Sequence, residues 1–163
     1  MSDTKHASTN GTVVADVMTR EVLTVTPDQP VDAAVALIVE HRLTGLPVVT
    51  ADRRCVGIVS ESDVLGKRGR TIGNIMTTAV ISVEEDVPLS EAAEILLTRR
   101  IRHLPITREG KLVGLLTRMD LLRYFARTHW SCQWCGHTER GLRPPNACPS
   151  CGAQTWRFTV EAR

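Results

Sequence analysis

Apolar positions along the chain fall into two periods that alternate. Val31, Ala34, Val35, Ile38 and Val39 recur at helical spacing, and Leu89, Ala92, Ala93, Leu96 and Leu97 repeat that spacing, so each segment predicts a helix burying one stripe. Pro30 and Pro88 open the two segments, where a first helical turn tolerates a missing N–H. Ahead of them VLTVT and VISVE read as short strands. Behind them LPVVT and CVGIVS, joined through ADRR, predict a strand pair, and LPITREGKLVGLLT repeats it around an EG turn.

The periods repeat because the sequence does. Met18 falls on Met76, Thr19 on Thr77, Pro30 on Pro88, Ala34 on Ala92 and Pro47 on Pro105, all at one shift. After a single deletion in the turn, Gly57, Asp63 and Leu65 fall on Gly114, Asp120 and Leu122. Two copies of one strand–helix–strand–strand–helix unit follow, residues 12–69 and 70–127, behind a flexible N-terminus over residues 1–11. The tail, residues 128–163, has a different texture: THWSCQWCGHTERGLRPPNACPSCGAQTWRFTVEAR.

Composition narrows the setting. The 163 residues, 42% hydrophobic, suffice for one ordinary core and a small satellite in a soluble protein. No apolar run approaches the roughly eighteen residues of a membrane span, and MSDTKHASTNG lacks the apolar centre of a signal peptide, so a cytoplasmic protein without membrane contact is expected. Thiols stay reduced there, which turns clustered cysteines toward metal or redox chemistry. Cys55, in CVGIV, reads as a small buried hydrophobe. The net charge of +2 argues against a dedicated nucleic-acid binder, although GKRGRTIG carries three basic groups and no acidic one. That stretch is either a solvated linker or the neighbour of a phosphate.

With "MT" at the start of each copy, GLPVV and HLPIT in the middle, and GIVSESD and GLLTRMD at the end, residues 12–127 resemble a tandem pair of CBS domains. The resemblance implies an α/β (α+β) fold whose halves pack about a pseudo-twofold axis and leave two clefts. It also implies regulatory binding of an adenosyl compound there: AMP, ADP, ATP or S-adenosylmethionine. By position in the family's pattern, Asp63 and Asp120 take the ribose hydroxyls, with Ser60 and Thr117 close to the phosphates. The clefts are shared between halves in the family. Met76, Ile81, Arg102 and His103 then complete the Asp63 cleft, and Met18, Leu23, Thr44 and Gly45 complete the Asp120 cleft.

The chemistry of these residues points the same way. An ionised carboxylate just inside a helix start accepts two hydrogen bonds from a diol, and the hydroxyl three residues earlier joins free N–H groups that favour an anion. S-x-x-D and T-x-x-D at a strand end are equally ordinary helix caps. Arg102 and His103 offer phosphate donors to the Asp63 cleft, whereas the Asp120 cleft has Thr44, Gly45 and, after Thr117, Arg118. Tighter binding is therefore expected in the Asp63 cleft, with Glu61 beside it as an opposing charge.

In the tail, Cys132-x-x-Cys135 and Cys148-x-x-Cys151 are each followed by glycine, a spacing that forms two tight knuckles and a tetrahedral set of thiolates. About 35 residues make too little core to fold unaided, so a metal supplies much of the folding free energy. This part resembles a zinc ribbon and, through CPSCG, a rubredoxin-like knuckle, a small β-type domain. A structural zinc is the expected occupant, with iron the alternative, because four thiolates accept either. His129 and His137 are expected at the surface. Trp130, Trp134, Trp156 and Phe158 are expected to cover the ribbon's sheet or dock it.

The reading is a non-catalytic sensor of an adenosyl ligand, dimeric through the repeat helices, with a ribbon that contacts a partner protein. Two alternatives are an electron-transfer or redox-sensing protein with iron in the ribbon, and a ribbon that binds nucleic acid under ligand control. No nucleophile with an adjacent base and no paired carboxylates suggest turnover.

Overall fold

A computed structural model of the chain describes residues 12–162; the N-terminus over residues 1–11, expected to be flexible, lies outside them. In the first copy the elements are α1 (Val31–His41), β1 (Gly45–Val49), β2 (Cys55–Ser60) and α2 (Glu61–Gly66). The second has α3 (Ile72–Ile75), β3 (Val83–Glu84), α4 (Leu89–Thr98), β4 (His103–Arg108), β5 (Lys111–Thr117) and α5 (Arg118–Arg127). The tail has β6 (Thr128–Cys132), β7 (Thr138–Glu139) and β8 (Phe158–Ala162). Pro30 and Pro88 take the capping positions of α1 and α4, at φ −65° and −56°. Both strand pairs are antiparallel, β1 with β2 and β4 with β5, each with one register shift.

The first strand of each copy is shorter than its β-rich sequence predicts. VLTVT is reduced to Val25, which bridges Val48 in parallel, and VISVE to the two residues of β3 beside β4. Proline explains both cuts. Val25 donates to the carbonyl of Pro47 (3.2 Å) and accepts from Val49 N (2.8 Å), but the next bond toward the N-terminus would need an N–H that Pro47, like Pro105, does not have. On the other side Glu85 N reaches Thr107 O at 3.1 Å, while Pro27 at the equivalent place in copy 1 has no N–H to offer.

The packing halves are not the sequence halves. A helical turn precedes each Met-Thr pair, Val14–Asp16 in copy 1 and α3 in copy 2, and each crosses to the other copy. Val14 N bonds Val87 O (2.9 Å) and Ile72 N bonds Gln29 O (2.9 Å). Val14 and Met18 accordingly join a core with Leu89, Leu96, Leu104, Ile106 and Leu116. Ile72 and Ile75 join the other, with Val25, Ala34, Leu46, Val48 and Val59. Burial of this kind contributes roughly 1.5–3 kcal/mol per large side chain, so neither half keeps its core when the other leaves.

The predicted helical stripes stop one residue short. Val39 and Leu97 are 71% and 58% exposed, joined by Leu65 (86%) and Leu122 (61%), which are also equivalent positions of the repeat. Among the described residues no helix is long and apolar enough to cross a membrane.

The tail folds on a three-stranded sheet in the order β7-β6-β8. Its core is Trp130, Cys132, Cys148 and Phe158, and Trp130 Nε1 donates to Gly141 O at 2.9 Å. Trp134 and Trp156 do not cover the sheet as expected. They stand 71% and 61% exposed, with the Arg157 guanidinium 5.4 Å from the first ring centre and 4.1 Å from the second. The cation–π stack gives them an alternative to burial. The loop after β7 meets the repeat region: Leu142 packs on the copy 2 core, and Arg143 lies 3.4 Å from Glu94 of α4.

Candidate functional site

Two cavities flank the pseudo-twofold axis. One, of ≈ 340 Å³, is lined by Ser60, Asp63, Ile81, Arg102 and His103, with Thr44 and Thr77. The other, of ≈ 740 Å³, is lined by Leu23, Thr44, Gly45, Thr117, Arg118 and Asp120, together with Arg42 and Arg123. Both volumes lie in the range of small-molecule sites.

Each carboxylate sits where its sequence motif places it. Asp63 and Asp120 are third residues of α2 and α5 and close capping boxes with Ser60 and Thr117. One oxygen is consumed by that cap: Asp120 Oδ2 accepts from Thr117 N (2.9 Å) and Thr117 Oγ1 (2.6 Å), and Asp63 Oδ2 accepts from Ser60 N at 2.9 Å. Capping and ligand binding are therefore compatible, because the other oxygen remains.

The second oxygens differ. Asp63 Oδ1 accepts from Lys67 Nζ at 2.7 Å and Thr77 Oγ1 at 3.2 Å. Lys67 also donates to Ile75 O (2.8 Å), so the basic linker lends its first cation to the structure. Burial alone would raise the Asp63 carboxyl, but the bonds from Lys67 and Ser60 outweigh it and hold it below the ordinary 3.8. Asp120 Oδ1 meets Arg123, 3.3 Å away on a side chain 64% exposed. The Asp120 carboxylate is the one with room to exchange its partner.

Two methionines expected in the clefts are elsewhere. Neither Met18 nor Met76 lines either of these two cavities. Met18 lies under Gly114 and Met76 under Gly57, where a Cβ would collide with their sulfurs. Successive side chains of an extended segment point oppositely, so the next residues, Thr19 and Thr77, face the clefts instead. That alternation was legible in the repeated "MT".

At the axis the two copies stop being alike. Arg102 and His103 line both cavities, not the Asp63 one alone. His103 Nε2 is 2.9 Å from Thr44 Oγ1, and its Cε1 would be 2.8 Å from a Cβ at Gly45. Burial, reinforced by the charge of Arg102 and opposed by Glu61, holds His103 below its ordinary 6.5, so the ring is neutral at pH 7. Arg102 also faces Glu61 across 4.0 Å. The donor advantage expected for the Asp63 cleft is thus shared with the larger cleft and partly neutralised in the smaller.

The tail builds a second site. The sulfurs of Cys132, Cys135, Cys148 and Cys151 all lie within 4.8 Å of one another, the pairs 132/151 and 135/148 at 3.8 and 3.6 Å. A tetrahedral ion with metal–sulfur bonds of about 2.3 Å holds its sulfurs about 3.8 Å apart, so the set fits. Two matching knuckles produce it. Gly136 N and Gly152 N bond the carbonyls of Cys132 and Cys148 (2.8 Å each), at φ +74° and +73°, where glycine is unstrained. A backbone bond from His137 and the neighbouring thiols lower Cys135 to about 7. The Ala153 backbone favours a thiolate at Cys151, yet burial and the other three sulfurs push it up to about 12. A cation is what lets all four ionise together. His137 is only part-buried, and His129 is not the surface residue expected: its side chain is 16% exposed and lies 3.6 Å from Glu161. Cys55 is half-buried, and burial raises its thiol.

Known proteins share these features. The profile of the CBS domain matches residues 14–69 and 72–127, and that of the rubrerythrin, rubredoxin-like domain matches residues 130–159. An inosine-5'-monophosphate dehydrogenase of Thermoplasma acidophilum is 38% identical over 108 residues, 65% of this chain but 22% of the dehydrogenase, so the chain spans about a fifth of that relative's length. The crystal structure of CBSX2, an Arabidopsis thaliana protein, in complex with AMP is 35% identical, covering 69% of this chain and 95% of that one at a TM-score of 0.66. The CBS domain pair of protein MJ0100, in complex with 5'-methylthioadenosine and S-adenosyl-L-methionine, is 28% identical, covering 71% and 96%, also at 0.66.

Proposed function

The chain belongs to the CBS-domain family, with a rubredoxin-like domain behind its two repeats, and from that premise we propose that it is a regulatory module sensing an adenosyl ligand in the Asp120 cleft. The observation that carries the reading is the Asp120 carboxylate. One oxygen is fixed by the cap, the other is held by a single exposed arginine, and the residue lines the larger cavity. The ribose hydroxyls bond that second oxygen, the base lies toward Leu23, and a phosphate meets Thr117 and the free N–H groups at the start of α5. Relatives crystallised with AMP and with S-adenosyl-L-methionine support the ligand class. Calorimetric titration of the whole protein with AMP and S-adenosylmethionine tests it. Saturable binding of either is expected; no binding of both would leave the repeat as a scaffold for the ribbon.

The ribbon holds a structural zinc through its four cysteines and presents its exposed surface to a partner protein. Because the same thiolates suit iron, the second reading is a redox ribbon, favoured if purified protein carries iron with thiolate charge-transfer bands. Val39 with Leu97, and Leu65 with Leu122, are exposed at equivalent positions of the repeat, and a second copy covers them in a homodimer. The module acts in the cytoplasm and performs no catalysis of its own.

A further inference from the structure

Arg42 and Arg100 occupy equivalent positions of the repeat, just past α1 and α4. Both hold a left-handed backbone, at φ 52° and 53°, where glycine or asparagine would be unstrained. Each lines the cavity on its own side, Arg42 the large one and Arg100 the small one. Strain accepted twice at matched places, by the same residue, points to a demand for the side chain.

From there the copies diverge in charge. Arg118 and Arg123, on the first turns of α5, stand where copy 1 has Glu61 and Gly66. The large cavity is therefore lined by four arginines, Arg42, Arg102, Arg118 and Arg123, against two acidic residues, Glu21 and Asp120. The small cavity has Arg100 and Arg102 against Glu61 and Asp63, which balance. A surplus of forked cationic donors in a roomy cleft matches an anion with several charged oxygens in a row, and a balanced, smaller cleft does not.

We propose that the large cleft is built for a nucleoside di- or triphosphate, its polyphosphate held by Arg42 and Arg123 with Arg118 and Arg102. This rests on the reading of that cleft as an adenosyl site and adds its charge class. Arg123 is the hinge of the arrangement: on ligand entry it releases Asp120 to the ribose and turns to the phosphates. Arg118, which lines the cavity, spends one donor on Leu96 O at 3.3 Å and has others left for a phosphate. The small cleft takes at most an uncharged or singly phosphorylated compound.

The test is titration of the full, metal-loaded chain with AMP, ADP, ATP and inorganic tripolyphosphate, at low and at high salt. Affinity is expected to climb from AMP to ATP by about tenfold or more at low salt, and the climb should shrink as salt screens it. Arg42→Ala and Arg123→Ala should each collapse the ATP-to-AMP ratio toward one, Arg42→Lys should restore part of it, and Arg68→Ala, on the exposed linker, should leave it as it was. Tripolyphosphate keeps the two ideas separable. If it binds and depends on Arg42 and Arg123 while no adenosine compound does, the polyphosphate wall stands and the adenosyl reading falls. If AMP binds and the ladder to ATP is flat, or survives both alanine variants, the polyphosphate proposal is overturned alone. Binding of none of the four overturns both.

Discussion

Asp63 and Asp120 are repeat equivalents, and replacing each by alanine should give opposite profiles. Asp63→Ala removes a helix cap, worth about 1 kcal/mol. It also strips Lys67 and Thr77 of their anion, a charge-assisted interaction of about 1.5–3 kcal/mol. With the Lys67 side chain 46% exposed, solvent screens that contribution and the lower end applies. The total is about 2–3 kcal/mol. Asp120→Ala loses a similar cap, but its cation, Arg123, is 64% exposed and adds only about 0–1 kcal/mol. At about 2–4 °C per kcal/mol for a chain of this size, Asp63→Ala lowers Tm by about 4–12 °C and Asp120→Ala by roughly half as much. Far-UV circular dichroism is the assay, because every tryptophan lies in the ribbon and fluorescence would miss the repeats. Nucleotide affinity runs the other way: Asp120→Ala weakens it about ten- to a hundredfold and Asp63→Ala by no more than about threefold. Equal melting losses in the two variants, or a larger affinity loss at Asp63, would refute the division of labour between the carboxylates.

Other outcomes follow from the same contacts. Cys148→Ser removes a buried thiolate, so metal affinity should fall by more than the roughly ten- to hundredfold typical of losing an outer partner, with tryptophan fluorescence melting early and the repeat signal unchanged; full metal content would remove the four-thiolate assignment. Leu65→Glu with Leu122→Glu should convert a homodimer to monomers in light scattering, and a monomeric parent protein would dispose of the dimer. The depressed His103 makes stability complete above its ordinary pH 6.5 and eroded as pH falls below it, since the unfolded chain takes the proton first. Urea titrations from pH 7.5 to about 5.5 should show that slope, reduced in His103→Gln; an unchanged slope would mean another group titrates. Asp63, also depressed, supplies stability above the ordinary 3.8 that is lost as pH drops through its folded value, and Asp63→Asn should flatten that acid limb.

Much of this was legible because the chain says it twice. The helical spacing after Pro30 and Pro88, the strand pairs and both x-x-Asp caps recur at matched positions, and the two CxxCG knuckles recur within the tail. What escaped depended on neighbours distant in sequence. The proline that cuts the first strand of each copy lies on the adjacent strand, about two dozen residues on, at Pro47 and Pro105. The exchange of Val14 and Ile72 between cores is a choice among partners of equal hydrophobicity. Arg102 and His103 belonged by alignment to one cleft, but the axis passes beside them and gives them to both. Arg42 and Arg123 belong to no motif in the sequence, and only the fold brings them to one cavity. Trp134 and Trp156 followed the rule that tryptophans bury, and Arg157 between them supplied the exception.

The adenosyl ligand is proposed to bind with its ribose on Asp120. A crystal structure of the metal-loaded protein grown with ATP tests it most directly. Density is expected in the larger cleft, with ribose hydroxyls on the Asp120 carboxylate, the base beside Leu23 and phosphates reaching Arg42. Density confined to the Asp63 cleft, or a protein that saturates with ATP in solution yet shows its ribose away from Asp120, would contradict it.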